Sequence, residues 1–155
     1  KDDFKYTFSF GDDVFGGPVW RDMVAPADAA RHRAAGAIPL LLDAEGRPMK
    51  RSFIHVDDLV SAILIALDHP RARQQLFNVA MDEPVDYGEV AAHLKTTRGI
   101  DSVPIPSPYH GNWLDNAKAK FFLEWRPRYD MKRLTDEAWD YRRAADDPRK
   151  VWYPG

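Results

Sequence analysis

Short apolar stretches alternate with amphipathic stretches along the chain, and clusters of Gly, Pro and Asp separate them. Short runs of β-branched and aromatic residues are typical of strands, whereas apolar residues that recur every three or four positions are typical of helices. This pattern predicts strands over residues 6–10, 38–42, 53–56 and 77–80, and an extended Pro-rich segment over residues 103–106. It predicts helices over residues 23–35, 57–68, 86–94, 116–123 and 134–143.

Residues with capping chemistry mark the ends of two of these helices. Asp57 suits the N-cap of a helix that stops before the pair His69 and Pro70. Asp86, with Glu89 three positions later, forms a capping box at the start of the next helix. Five apolar residues recur at helical spacing after Asp57, namely Leu59, Val60, Ile63, Leu64 and Leu67.

The order of strands, loops and helices predicts an α/β fold, or α+β if the chain folds in isolation. A chain of 155 residues has room for one domain, or for part of a larger enzyme. The aromatic strand at residues 6–10 follows an N-terminus that has no Met, and it needs neighbouring strands for pairing. We therefore expect the chain to begin in the middle of a fold.

Composition excludes several classes of function. The 22 Lys and Arg residues are interspersed with 24 Asp and Glu residues, so no basic surface for nucleic acid is expected. The chain has no Cys, and its five His residues lack the spacing of a zinc site, so no metal is expected. The longest apolar run, residues 62–67, is far shorter than the roughly 20 residues of a membrane span. A cytoplasmic location is compatible with these features.

Arg51 is the most informative single residue, because it precedes a short apolar stretch, two acids and a helix. A guanidinium held there can bind a phosphate through paired N–H donors. The alternative is a surface arginine paired with Asp57 or Asp58. We interpret these two acids as helix-cap charges and His55 as a packed strand residue, and not as catalytic groups. Three tryptophans are expected to pack in the core and against helices, and not to serve as stacking platforms, namely Trp113, Trp125 and Trp139.

Three motifs resemble, in the correct order, those of a known enzyme family. They are RSFIHVDDL at residues 51–59, FNVA at residues 77–80 with EPV after it, and WLDNAKAK at residues 113–120 with LEWRP after it. These are similar to motifs of the NAD-dependent epimerase/dehydratase family, extended short-chain dehydrogenases that include the nucleotide-sugar 4-epimerases. DVFGGP at residues 13–18 resembles the exit of that family's late Rossmann strand.

The resemblance implies a division of the chain and a set of ligands. Residues 1–18 would be the late strand and loop of a truncated Rossmann domain, and residues 19–155 would be the substrate-binding domain. The intact protein would use NAD and a nucleotide-sugar substrate. The sequence contains neither the family's Gly-x-x-Gly-x-x-Gly turn nor its Tyr-x-x-x-Lys pair. We therefore expect no cofactor site, no catalytic residue and no activity in this chain alone.

The resemblance also implies substrate-binding residues. Arg51 matches the arginine that contacts the pyrophosphate, and Asn112 falls where some epimerases place a residue near the nucleotide. Leu40, Leu41 and Leu42 lie where the family lays a short strand along the base, although an apolar triplet is more often core. Two other family arginines are replaced, at residues 9–10 and 105–109. This leaves Arg51 as the main phosphate contact, and it leaves a simpler sugar acid open as the ligand.

The predicted function is thus the C-terminal, substrate-binding part of an NAD-dependent nucleotide-sugar epimerase or dehydratase, similar to UDP-glucose 4-epimerase. The alternative is a standalone, non-catalytic module that binds sugar nucleotides or forms oligomers. A sheet edge left unpaired could also join two copies as a homodimer.

Overall fold

The structure is a computed structural model that describes residues 35–142. The predicted strand at residues 6–10, the predicted helix over residues 23–35 apart from its last residue, and the domain boundary after residue 18 lie outside this part. So does the end of the last predicted helix at residue 143. None of the helices in the described part is long and apolar enough to cross a membrane.

Four short strands and four helices alternate in the described part, which confirms the predicted α/β fold. The strands are β1 (Ile38–Leu42), β2 (Lys50–Arg51), β3 (Val85–Asp86) and β4 (Ser102–Pro106). The helices are α1 (Val56–Asp68), α2 (Tyr87–Arg98), α3 (Ala117–Leu123) and α4 (Met131–Asp140), with a 3₁₀ turn at Pro70–Ala72.

The strands form two small ladders. Strand β1 pairs with β4 in parallel, and Leu40 lies opposite Pro104 in this register. Strand β2 pairs antiparallel with β3, so that Lys50 faces Asp86 and Arg51 faces Val85. A turn at residues 43–48 joins β1 to β2, and the Met49 N–H donates to the Leu41 carbonyl across it at 2.9 Å.

Two clusters of buried apolar side chains hold these elements together. The first lies between β1, α2 and α4, and contains Ile38, Met81, Val85, Val90, Leu94, Tyr129 and Trp139. The second lies between α1, α3 and the segment after α3, and contains Ala62, Ala119, Leu123 and Trp125. Such burial is the main favourable contribution to folding.

Two of the predicted strands are wrong. Residues 53–55 and 77–80 are loops, and Val56 already belongs to α1. Met81, the residue that follows the second loop, donates its backbone N–H to the Phe53 carbonyl in the first loop at 2.8 Å. Phe77 and Val79 pack on the second cluster through their side chains. Their apolar character therefore reflects packing and not a strand ladder.

Helix caps agree with the sequence where the cap is local. Asp86 caps α2 by accepting from the N–H groups of Gly88 and Glu89, as predicted. The helix continues to Arg98, beyond the predicted residue 94, and ends at Gly99, whose φ of +66° favours glycine. Helix α4 spans Met131–Asp140, so it begins earlier than predicted and ends before the predicted residue 143.

Helix α1 differs most from its prediction. The N-cap is His55 and not Asp57, because the His55 Nδ1 accepts from the Asp57 N–H at 3.1 Å. The helix buries Asp58 and Ala62. The five apolar residues that recur at helical spacing are exposed instead, namely Leu59, Val60, Ile63, Leu64 and Leu67.

Candidate ligand-binding site

Arg51 occupies the end of β2, where pairing with Val85 fixes its backbone. Its side chain is half-buried, and residues 35–142 provide no hydrogen-bond acceptor or ion-pair partner for its guanidinium. The predicted alternative, a pair with Asp57 or Asp58, is therefore wrong. The geometry leaves a positioned cation with its donors open.

The neighbouring charges explain why Arg51 in particular is left open. Lys50 already pairs with Asp86, with 3.3 Å between the Nζ and Oδ2 atoms. The positive charge of Arg51 acts on the nearby Tyr87. Burial raises the pKa of the Tyr87 hydroxyl above its usual value, and the positive charge of Arg51 acts in the opposite direction. The guanidinium thus lies near the phenol at the start of α2.

A loop at residues 107–116 runs along β2 and forms the second side of the site. The Asn112 N–H donates to the Lys50 carbonyl at 3.0 Å, and the Leu114 N–H donates to Ser52 Oγ at 2.7 Å. A Cβ on Gly111 would lie 3.1 Å from the Lys50 carbonyl oxygen, so the loop can approach this closely because the residue is glycine.

The structure therefore brings two of the predicted site residues together, Arg51 and Asn112. The Asn112 backbone is fixed beside β2, whereas its side chain is exposed. Leu40, Leu41 and Leu42 lie on the adjacent strand β1 and are half-buried, with Leu41 joined to the β2 segment through the N–H of Met49.

The acid pair that follows Arg51 is part of the packing. Asp58 is fully buried, and its carboxylate accepts from the backbone N–H groups of Arg128 and Tyr129 at 2.9 and 3.1 Å. The Arg128 Nε donates to the same carboxylate at 3.2 Å. Asp57 accepts from the Tyr129 hydroxyl at 3.1 Å. Asp58 lies in the first turn of α1, as predicted, and its carboxylate also links this helix to the segment before α4.

His55 belongs to the same structural cluster. Its ring stacks on the Tyr129 ring with 3.7 Å between the two centroids. The Arg133 guanidinium also lies over the Tyr129 ring, 3.9 Å from its centroid. Burial raises the pKa of Tyr129, and its hydrogen bond to Asp57 raises it further. These contacts tie His55 at the start of α1 to Tyr129 and to α4.

A shallow depression beside this cluster carries negative charge. Asp82, Glu83 and Asp130 line it together with Arg128 and Tyr129. Hydrogen bonds from Lys120 and Asn116 lower the pKa of Asp82 despite partial burial. Within residues 35–142, no group of three His, Asp or Glu side chains is arranged to hold a metal ion. The acidic depression is unsuited to a phosphate.

Trp113 is the residue of this region that the sequence analysis misjudged. Its side chain is 62% exposed, whereas Trp125 and Trp139 are 2% and 6% exposed, as expected of core residues. The surrounding residues are typical of a surface loop and could have indicated this exposure. Pro106, Pro108 and Gly111 precede the tryptophan, and Asp115 follows it.

Comparison with known proteins finds a family model that matches part of the chain. Residues 17–80 match the model of the NAD dependent epimerase/dehydratase family. A search of curated proteins gave no match.

Several solved structures share the fold. A short-chain dehydrogenase/reductase superfamily protein from Agrobacterium tumefaciens with bound NAD is 23% identical, with a TM-score of 0.63 over 86% of this chain and 45% of that one. A UDP-glucuronic acid 4-epimerase from Bacillus cereus, in complex with UDP-glucuronic acid and NAD, is 20% identical, with a TM-score of 0.57 over 71% of this chain and 37% of that one. A dTDP-glucose 4,6-dehydratase from Bacillus anthracis in complex with NAD is 21% identical, with a TM-score of 0.55 over 76% of this chain and 37% of that one.

The chain spans less than half the length of these structures. At this level of identity the likeness shows the fold, and the family model adds the match over residues 17–80. The resemblance to the NAD-dependent epimerase/dehydratase family is thereby confirmed, through its model and through the fold of the described residues.

Proposed function

We propose that this chain is the substrate-binding part of an NAD-dependent nucleotide-sugar epimerase or dehydratase, and that Arg51 holds a phosphate of the substrate. The observation that carries the proposal is the open, half-buried guanidinium of Arg51. A guanidinium offers paired N–H donors that match two oxygens of a phosphate, and such charge-assisted bonds are stronger than neutral ones.

The neighbouring residues support a phosphate at this place. Asp86, the nearest acid on the paired strand, is engaged by Lys50 and by the first N–H groups of α2. Its negative charge is therefore largely compensated. The similar epimerase from Bacillus cereus has UDP-glucuronic acid bound in its structure, which supports a nucleotide sugar as the ligand here.

We propose that the described residues do not hold NAD. A dinucleotide pyrophosphate normally binds free N–H groups at a helix N-terminus. Here the side chains of His55, Asp86 and Asp130 occupy the N-termini of α1, α2 and α4, and Asp115 accepts from the first N–H of α3. We propose that NAD and the proton-transfer residues are supplied by a further part of the intact protein, and that this chain alone binds substrate without turning it over.

The test is calorimetric titration of the 155-residue chain with UDP-glucose and with UDP-glucuronic acid. Arg51→Ala should weaken binding by about tenfold or more, because a hydrogen-bonded charge contributes about 1.5–3 kcal/mol. Arg51→Lys should recover part of the loss, since it restores the charge without the paired donors. Arg73→Ala removes the same charge from an exposed position and is the matched control.

Equal affinities of Arg51→Ala and Arg73→Ala would refute the assignment of Arg51. Free glucuronic acid is the second ligand to compare with UDP-glucuronic acid. The chain lacks two arginines of the family pattern, which leaves a sugar acid without a nucleotide as the alternative ligand. If it binds as tightly as UDP-glucuronic acid, the ligand is a sugar acid and the nucleotide-sugar proposal is wrong.

A further inference from the structure

We propose that Trp113 is a stacking platform for the nucleobase of the ligand whose phosphate Arg51 holds. This inference rests on the proposed function and adds the part of the substrate that gives specificity. An indole face can stack on any planar base, and such contacts contribute measurably to nucleotide affinity.

The exposure of Trp113 is the first supporting observation. Its side chain is 62% exposed, although the other two described tryptophans are almost completely buried. Of these, Trp125 also satisfies its indole N–H, which donates to Ser61 Oγ at 2.8 Å. Trp113 therefore contributes little to the core, and its ring face is accessible to a ligand.

The backbone places Trp113 beside Arg51. The Asn112 N–H donates to the Lys50 carbonyl, and the Leu114 N–H donates to Ser52 Oγ. Trp113 lies between Asn112 and Leu114 on the loop. Arg51 lies between Lys50 and Ser52, so it is the neighbour of Trp113 on the adjacent segment. An open cation and an open aromatic ring thus occupy neighbouring positions on adjacent segments.

The loop that carries the indole is held in place before any ligand binds. Gly111 lies against the Lys50 backbone, and the Tyr109 carbonyl accepts from the Ala44 N–H at 2.9 Å. His110 approaches Glu45, with 3.3 Å between Nδ1 and Oε1. Because this part of the backbone is already ordered, a ligand that stacks on Trp113 has less entropy to lose on binding.

The charges around the loop also permit an anionic ligand. Glu45 pairs with Arg47 at 3.0 Å, and Asp115 accepts from the Ala117 N–H at 2.7 Å. The carboxylates of Glu45 and Asp115 therefore already have partners. The combination of a phosphate contact and a planar apolar contact fits a nucleoside phosphate better than a phosphate alone.

The experiment compares UDP, inorganic pyrophosphate and glucose 1-phosphate by calorimetry, on the 155-residue chain and its variants. Trp113→Leu should weaken UDP about tenfold and change pyrophosphate less than twofold, since stacking on a base typically contributes a factor of this size. Trp113→Phe should retain most of the UDP affinity. Phe121→Leu removes another aromatic ring, 72% exposed on α3, and should have no effect. Arg51→Ala should weaken UDP and pyrophosphate together.

The outcomes separate this inference from the function on which it rests. If Arg51→Ala weakens UDP and Trp113→Leu does not, the stacking role is refuted and the phosphate site stands. If Trp113→Leu weakens glucose 1-phosphate in place of UDP, the ring contact is with the hexose and the nucleobase assignment is wrong. An equal loss for UDP and pyrophosphate would mean that the loop had moved, and would also refute stacking. If Arg51→Ala changes nothing, the proposed function fails, and this inference fails with it.

Discussion

Asp58 and Arg51 lie in the same sequence motif, but their surroundings differ completely. The Asp58 carboxylate is fully buried and accepts three hydrogen bonds from the segment that precedes α4. The Arg51 guanidinium is half-buried and has no partner in the described part of the chain. A buried charge with all its bonds made maintains the fold, whereas a positioned charge with open donors is suited to a ligand.

The comparison assigns different consequences to the loss of each residue. Loss of Asp58 should affect stability, because its partners are about half the chain away in sequence and lose their only described acceptor. Loss of Arg51 should affect ligand affinity, because nothing in the described protein depends on its charge for a hydrogen bond.

The largest expected effect is that of Asp58→Ala. The backbone N–H groups of Arg128 and Tyr129 would lose their acceptor in a site that excludes water, and the free energy of unfolding should fall by about 3 kcal/mol. Urea denaturation followed by circular dichroism measures this change. Asp57→Ala is the control, since that residue is exposed, and it should cost less than half as much.

A change below about 0.5 kcal/mol for Asp58→Ala, which is typical of an exposed site, would contradict the assignment of Asp58 to the fold. Asp58→Asn refines the result. If the amide oxygen still accepts one of the two backbone N–H groups, this variant should be intermediate in stability.

A smaller effect separates two arginines. Arg128→Ala should reduce the free energy of unfolding by about 1 kcal/mol, because its side chain is 62% exposed and contributes one bond to Asp58. Arg51→Ala should change it by less than about 0.5 kcal/mol. The same denaturation experiment measures both. If Arg51→Ala proves the more destabilising of the two, Arg51 has a structural role and the comparison is wrong.

Local chemistry was readable from the sequence, and long-range chemistry was not. The cap at Asp86 was predicted because the accepting carboxylate and the N–H groups that donate to it lie within three residues of each other. The same rule failed at Asp57, because His55, two positions earlier, caps the helix and the Tyr129 hydroxyl donates to the Asp57 carboxylate. The anchoring role of Asp58 depends on a segment far along the chain, and no local pattern indicates it.

The candidate site shows the same division. The motif at residues 51–59 identified Arg51 through its resemblance to a family, but its open donors are a property of the tertiary structure. Trp113 was predicted to be buried because most tryptophans are. The structure instead exposes it on the loop that runs along β2.

The smallest predicted effect is a change in the pKa of Tyr87, which reports the electrostatic influence of Arg51. Burial raises the pKa of the Tyr87 hydroxyl, and the positive charge of Arg51 opposes this rise by favouring the phenolate. Arg51→Ala should therefore raise the pKa of Tyr87, as followed by the ¹³Cζ resonance of labelled tyrosine. Lys50→Ala is the control, because the Lys50 charge is already paired with Asp86. A bound phosphate should act in the same direction as Arg51→Ala, since it neutralises the guanidinium. If pyrophosphate raises the pKa of Tyr87 equally in the wild type and in Arg51→Ala, the anion binds elsewhere, and the contrast between Arg51 and Asp58 loses its functional meaning.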